Sequence, residues 1–235
     1  MYSESFFPNI KEKIDAMQLL RSDPDFHESC YEKRIKKGEV LTRKIINNNL
    51  FFIEAGVMKF SYAKDQAFIF QHFLEPTEFL RLTEYTEELP MEYRYEAITD
   101  IVGWVIDFPF FERVLAKEDP HNFILMQHFL RTRKKFFQAS IRANLDATER
   151  VYFCIYRLMY DGFHAKPNSI ELPMFVNYVL LADMANVSKS LVTLVCKSLR
   201  EDEILVSSKR PWTIIDVKRF MELMAQEKIP IDAED

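Results

Sequence analysis

Residues 181–205 read "LADMANVSKSLVTLVCKSLREDEIL", and the side chains in this stretch that can do chemistry are cations and short hydroxyls. Lys189, Thr193, Lys197 and Arg200 recur at i, i+4, i+8 and i+11, a single stripe if the segment is helical. Val192, Val195, Cys196 and Leu199 occupy the opposite, apolar face. Between 187 and 200 there are three cations and no acid, in a chain whose formal net charge is −5. Such a balance excludes a surface that attracts polyanions everywhere and points to one local patch. Ammonium groups and helix N-terminal amides suit phosphates, while Ser190 and Thr193 can reach base edges and Leu194 a thymine methyl. Ser188 is placed to cap the helix that carries them. Soon after comes "SSKRP" (207–211), whose Lys209 and Arg210 form a basic tip between two β-prone runs.

Other chemistries lack their residues. The chain has only four glycines, Gly38, Gly56, Gly103 and Gly162, so no Gly-rich phosphate loop can be built. Cys30, Cys154 and Cys196 are far apart with no CxxC pair, which reads as buried thiols in a reducing compartment. A cupin-type metal centre needs His-x-His and a following Glu on facing strands, and only His72 lies in a strand segment. No Ser/His/Asp set or HExxH helix is visible. The expectation is no enzyme, no metal and no cofactor. The competing classes are a DNA-binding module, a small-molecule sensor acting through protein contacts, and a metalloenzyme; the basic stripe and basic hairpin favour the first.

The elements that position these residues follow from hydrophobic period. The chain of 235 residues is 48% hydrophobic and 14% aromatic, ample for packed cores and against disorder. Phe7, Ile10, Ile14, Met17 and Leu20 predict a short amphipathic helix over 6–22. From about 30 to 111 the period is two: "FFI" (51–53), "VMKFSY" (57–62), "AFIFQHF" (67–73), "EYRYEAI" (92–98) and "IVGWVIDF" (101–108) are strands. In "VMKFSY", Met58, Phe60 and Tyr62 share one face and Lys59 and Ser61 the other. Strands at this spacing suggest an antiparallel roll or barrel.

After "EDP" (118–120) the helical period returns. Ile124, Leu125, Phe129, Phe136, Phe137, Ile141 and Leu145 make an apolar stripe on a helix over about 120–143, which wants a partner helix from a second copy of the chain, the alternative being that it packs on its own β domain. "DATERVYFCIYRLMYDGF" (146–163) predicts a helix capped by Asp146, and "AKPNS" (165–169) a turn. Leu180–Ala185 and the segment from Ser188 are two helices joined by a tight turn at Asn186–Val187. "EILVSSKRPWTII" (203–215) is a hairpin and 217–227 a last helix. The combination predicts a winged helix-turn-helix whose second helix enters the DNA major groove. The expected domains are 1–117, 118–146 and 147–235. "MYSESFFPNIKEKIDAM" has acids and no apolar core, and no uncharged run spans a bilayer, so the expectation is a cytoplasmic chain without membrane contact.

This order of parts resembles the Crp/Fnr superfamily of bacterial transcription regulators: α+β, an N-terminal antiparallel β-roll of the cyclic-nucleotide-binding jelly-roll type, a long dimerisation helix and a C-terminal winged helix-turn-helix. "KKGEVL" (36–41) looks like the family's opening strand, and "LFFIEAGVMKF" (50–60) is similar to its aromatic–aromatic–Ile–x–x–Gly–x–Val strand and turn. "ADMANVSKSLVTLVCKSLREDEIL" matches its helix-turn-helix. The resemblance implies double-stranded DNA, a second copy of the chain and RNA polymerase as partners. It places Lys189 where a DNA-contacting Arg is common, Ser190 where a base-reading Glu is frequent, and Leu194 where another Arg is frequent. In the cyclic-nucleotide cassette, Arg81 and Leu82 replace a Gly-Glu pair, and Glu92 and Tyr93 replace an Arg-Ser pair. A carboxylate in place of a phosphate-binding guanidinium repels the ligand, so cyclic nucleotides are not the expected effector. No N-terminal cysteine cluster is present for iron and sulfur, and His27 and His72 are single. What remains resembles the PrfA-like branch, with Arg81, Tyr85, Tyr93 and Tyr95 available to line a pocket for another small molecule or to serve as roll core.

Overall fold

Leu50, Phe51, Phe52 and Ile53 are all buried, and burial of both faces of this run organises the N-terminal unit. The computed structural model describes residues 15–41, 49–80, 82 and 92–231. The run lies in β3 (Asn49–Ala55), within an antiparallel sheet ordered β1 (Cys30–Ile35), β8 (Ile101–Asp107), β3 and β6 (Phe79–Leu80). The two-residue period sends Phe51, Ile53, Leu80 and Val105 into one core and Leu50, Phe52, Phe79 and Ile106 into another. The first set packs with Met58, Phe60, Leu74, Tyr95 and Ala97 of a second antiparallel sheet. That sheet is ordered β2 (Val40–Leu41), β7 (Tyr93–Ala97), β4 (Met58–Lys64) and β5 (Ala67–Leu74). Two antiparallel sheets sharing one core form the β-roll the sequence predicts.

The other face of the first sheet is covered by helices. α1 (Ala16–Arg21), α2 (Phe26–Ser29), α3 (Phe108–Glu118) and the first turn of α4 (Phe123–Ala143) contribute Met17, Leu20, Phe26, Phe110, Phe111, Val114 and Ile124. A strand covered on both faces reads as an unbroken apolar run, which is why "LFFI" does not alternate. Gly56 closes the β3–β4 turn at φ 95°, where a Cβ would lie 2.3 Å from the Asp100 carbonyl oxygen.

Several expectations are corrected. "KKGEVL" is not the opening strand: β1 precedes it, Gly38 turns at φ 84°, and only Val40–Leu41 is extended. The hydrophobic period does not predict α3, because Pro109 looks like a breaker. It lies in the helix's first turn, where its missing N–H costs nothing, and Asp107 caps Phe110 N at 3.3 Å. α1 begins at the Asp15 cap, and Phe7, Ile10 and Ile14 lie outside the described residues. Lys59 and Ser61 do share the face opposite Met58 and Phe60, yet both are buried, with Lys59 Nζ 3.1 Å from Glu96.

In the C-terminal unit α5 (Ala147–Tyr160) starts with a full capping box, Asp146 accepting from Thr148 N and Glu149 N while Glu149 accepts from Asp146 N. The described part continues through β9 (Phe163–Lys166), β10 (Ser169–Glu171), α6 (Tyr178–Ala185), α7 (Lys189–Glu201), β11 (Leu205–Val206), β12 (Thr213–Ile214) and α8 (Val217–Gln226). The antiparallel sheet β11-β12-β10-β9 contains two strands missed in the sequence, because "AKPNS" reads only as a turn. That turn also orders α8: Asn168 Oδ1 accepts from Lys218 N at 2.9 Å, and its Nδ2 donates to Asp216 at 3.0 Å. The chain divides into two compact units between Phe136 and Phe137, inside α4.

Candidate nucleic-acid interface

The geometry of residues 177–214 begins with caps. Asn177 accepts from Val179 N (2.9 Å) and Leu180 N (3.1 Å), opening α6. Asn186 ends it in the left-handed region at φ 49°, and Ser188 accepts from Leu191 N at 3.2 Å to open α7. With so few residues between the caps, the helices bend by 109°, the angle of a helix-turn-helix. Leu181, Met184 and Ala185 of α6 and Val192, Val195, Cys196 and Leu199 of α7 are buried. Arg150 braces the end of α6, donating from Nε to Ala185 O at 2.8 Å.

Packing of that apolar face leaves Ser188, Lys189, Ser190, Thr193, Leu194 and Lys197 exposed together. Leu194 is 63% exposed, a large apolar side chain left in water on a cationic face. Thr193 spends its hydroxyl proton on Lys189 O at 2.9 Å, so outward it offers lone pairs and a methyl group. Lys197 lies 3.6 Å from Glu201 in an exposed pair, which holds it weakly. Burial pushes the Cys196 thiol up to about 12, and Cys30 and Cys154 equally, so the three free cysteines lack thiolate reactivity at neutral pH.

Arg200 is placed differently from the rest of its stripe. It is half-buried, and its Nη1 donates to Tyr178 Oη at 3.0 Å and Ser207 Oγ at 2.9 Å. Tyr178 also meets Trp212 edge-on at 4.7 Å. The guanidinium therefore joins α7 to the start of α6 and to the base of the hairpin. Sequence spacing hides this set, because its members are 22 and 7 residues from Arg200. β11 and β12 pair as Leu205 with Ile214 and Val206 with Thr213, and the tip between them exposes Ser208, Lys209 and Arg210. A positively charged wing thus accompanies α7 in the same compact unit.

The other site residues divide. Tyr93 and Tyr95 share a cluster with Phe60, at 5.8 and 5.2 Å between ring centroids, on the inner face of the roll. Arg81 and Tyr85 lie outside the described residues. On α4, Phe129, Phe136 and Phe137 are exposed and Ile141 is half-buried. Ile124 is corrected: at 4% exposure it belongs to the helical core beside the first sheet and cannot meet a second chain. Leu125 packs partly against the same core. Among the described residues no three His, Cys, Asp or Glu gather as a metal site, and no single helix is long and apolar enough to cross a membrane.

No protein-family model matches the chain, and no curated protein does. Solved structures do match. A cyclic nucleotide-binding domain containing protein from Listeria monocytogenes superposes with a TM-score of 0.74 at 19% identity, over 86% of this chain and 96% of that one. A CooA variant from Carboxydothermus hydrogenoformans gives 0.71 at 16% identity, over 90% and 96%. A Crp/Fnr-family transcriptional regulator from Thermus thermophilus gives 0.61 at 16% identity, over 83% and 98%. By these matches the chain has the fold of the Crp/Fnr regulators.

Proposed function

We propose that the protein is a DNA-binding transcription regulator of the Crp/Fnr type that reads an inverted repeat as a homodimer. One observation carries the reading: α7 is held at 109° to α6 with Lys189, Ser190, Thr193, Leu194 and Lys197 all exposed, beside a wing bearing Lys209 and Arg210. The lysines and Arg210 contact phosphates, Ser188 and the N-terminal amides of α7 approach the backbone, and Ser190, Thr193 and Leu194 face base edges. Two copies associate along α4 through Phe129, Phe136, Phe137 and Ile141, whose apolar exposure a partner helix relieves. Arg200 serves this surface from behind. Transcriptional output then depends on contact with RNA polymerase.

Cyclic nucleotides are not the effector in this reading. Leu82, where the family has a ribose-binding Glu, is buried in the helical core. Glu92 is exposed immediately before β7. Arg94, the guanidinium nearest in sequence to Glu92, donates from Nη2 to Glu96 at 3.3 Å and lies 4.1 Å over the Phe68 ring, while its Nε has no hydrogen-bond partner among the described residues. The test is selection of genomic fragments by the purified protein. Enrichment of an inverted repeat supports the reading, whereas recovery of the same fragments at the same yield by Lys197→Ala/Lys209→Ala protein contradicts it. Failure of any fragment to bind favours a sensor that works through protein contacts.

A further inference from the structure

A cavity of about 220 Å³ lies in the N-terminal unit among α1, the β5–β6 turn and α4. It is separate from the aromatic cluster on the roll's inner face, because its floor is Phe52, Phe79 and Ile124, which belong to the core on the other side of the first sheet. Its wall is polar: Asp15, Thr77, Glu78, Gln127, His128 and Arg131. A cavity of roughly 150 Å³ can hold benzene, so this one has room for one ring and a short arm. It is below the range of about 300–1,000 Å³ typical of drug-sized ligands.

The wall carries one cation, Arg131, and two carboxylates, Asp15 and Glu78. Glu78, which also lines the cavity, is already matched: Lys135 Nζ donates to it at 2.7 Å, and to Phe73 O at 2.7 Å, with little of either side chain exposed. Arg131 spends only Nη1 on the protein among the described residues, donating to Thr77 O at 3.1 Å and Oγ1 at 3.3 Å. Its remaining guanidinium edge keeps donors for a ligand. Thr77 itself sits at φ 72°, an unusual conformation for a β-branched residue, and these bonds hold it at the cavity rim. His128 makes no hydrogen bond among the described residues. Burial pushes its ring down to about 4, so at neutral pH it is an uncharged donor and acceptor rather than a second cation. Asp15 has one carboxylate oxygen tied to Gln18 N at 3.1 Å as the cap of α1.

We propose that this cavity is a binding site for a small organic acid, a single ring or branched apolar chain carrying one carboxylate, with Arg131 as its anchor. The planar carboxylate matches the guanidinium edge bidentately, and a phosphate dianion would need a further cation while Lys135 is committed to Glu78. The apolar body covers Phe52, Phe79 and Ile124, and the His128 ring donates to the carboxylate. A bound acid would link the β5–β6 turn to α4. The inference is independent of the DNA-binding reading, and its measurement uses no DNA.

The experiment is titration calorimetry of the full chain with benzoate, 3-phenylpropionate and the neutral analogue 3-phenylpropanamide. A saturable heat is expected for at least one acid, with a Kd of about 10 µM to 1 mM as befits so few ligand atoms. The amide should bind at least tenfold more weakly. Arg131→Gln should lose at least tenfold, and Ala16→Leu, which narrows the cavity without changing charge, should also weaken binding. No saturable heat from either acid overturns the proposal, as does equal affinity for acid and amide. Unchanged affinity in both variants places the acid elsewhere and overturns it too. Should a variant fail to fold, the acid–amide comparison on the unaltered chain still decides.

Discussion

His128 and Lys197 show how differently two basic side chains on helices behave. Burial first, then Lys135 and Arg131, disfavour the charged ring of His128, and Glu78 offsets this only partly. The folded-state value of about 4 lies below the unfolded value of about 6.5, so the unfolded chain binds the proton more readily. The stability tied to His128 is therefore complete above pH 6.5 and falls as the pH drops toward 4. Between pH 7.5 and pH 5 the loss is on the order of 2 kcal/mol. Denaturant unfolding should show that His128→Gln removes this part of the acid sensitivity; equal losses in both proteins would contradict it. Lys197 is exposed and only loosely paired with Glu201, so its charge is available to a phosphate. Lys197→Ala should weaken specific and nonspecific DNA binding alike and reduce the salt slope by about one unit for each phosphate that the two subunits no longer neutralise. An unchanged slope in binding measured at several salt concentrations would remove Lys197 from the interface.

At the scale of elements, the bond set around Arg200 ties the base of the hairpin to α6 and α7. If Arg200 holds the base of the hairpin through Ser207, Arg200→Met should weaken DNA binding severalfold, and Lys209→Ala should then cost less than it does in the unaltered protein. A double-mutant cycle checks this, and strict additivity would show the brace to be irrelevant to the wing. α4 carries the second prediction. Phe136→Glu should shift the protein to monomer by light scattering and weaken DNA binding by more than tenfold, since linked half-sites lose their avidity. A monomeric unaltered chain at micromolar concentration would contradict the dimer outright. How much of this is legible in the sequence depends on whether local pattern and tertiary burial agree. Asp146 and Ser188 are readable as caps because capping is a local interaction, and each makes its bond. α7 is readable because one face of it, Val192, Val195, Cys196 and Leu199, is apolar at helical spacing and buried. α3 is hidden by Pro109, and β9 and β10 by their shortness around a strong turn signal. Ile124 shares its period with Phe129 and Phe136, but period alone cannot say whether an apolar residue faces its own domain or a second chain. The set of Tyr178, Arg200 and Ser207 leaves no trace in spacing at all.

For the whole molecule, the proposed function is that of a symmetric reader of DNA. A two-fold dimer presents two copies of α7, so the operator should be an inverted repeat with half-sites centred about one helical turn, roughly 10 bp, apart. In the proposed dimer each copy would read with Ser190, Thr193 and Leu194, and Thr193 can only accept while its proton stays on Lys189 O. Ser190→Ala or Leu194→Ala should cost about 1–3 kcal/mol for each base edge no longer read and change the preference at one position in each half-site. The decisive measurement is affinity across a panel of single-base operator variants at two salt concentrations, for the unaltered chain and these two substitutions. Altered base preference at symmetry-related positions, with an unchanged salt slope, is the expected result; an identical preference profile in all three proteins would mean that residues 188–200 do not read DNA.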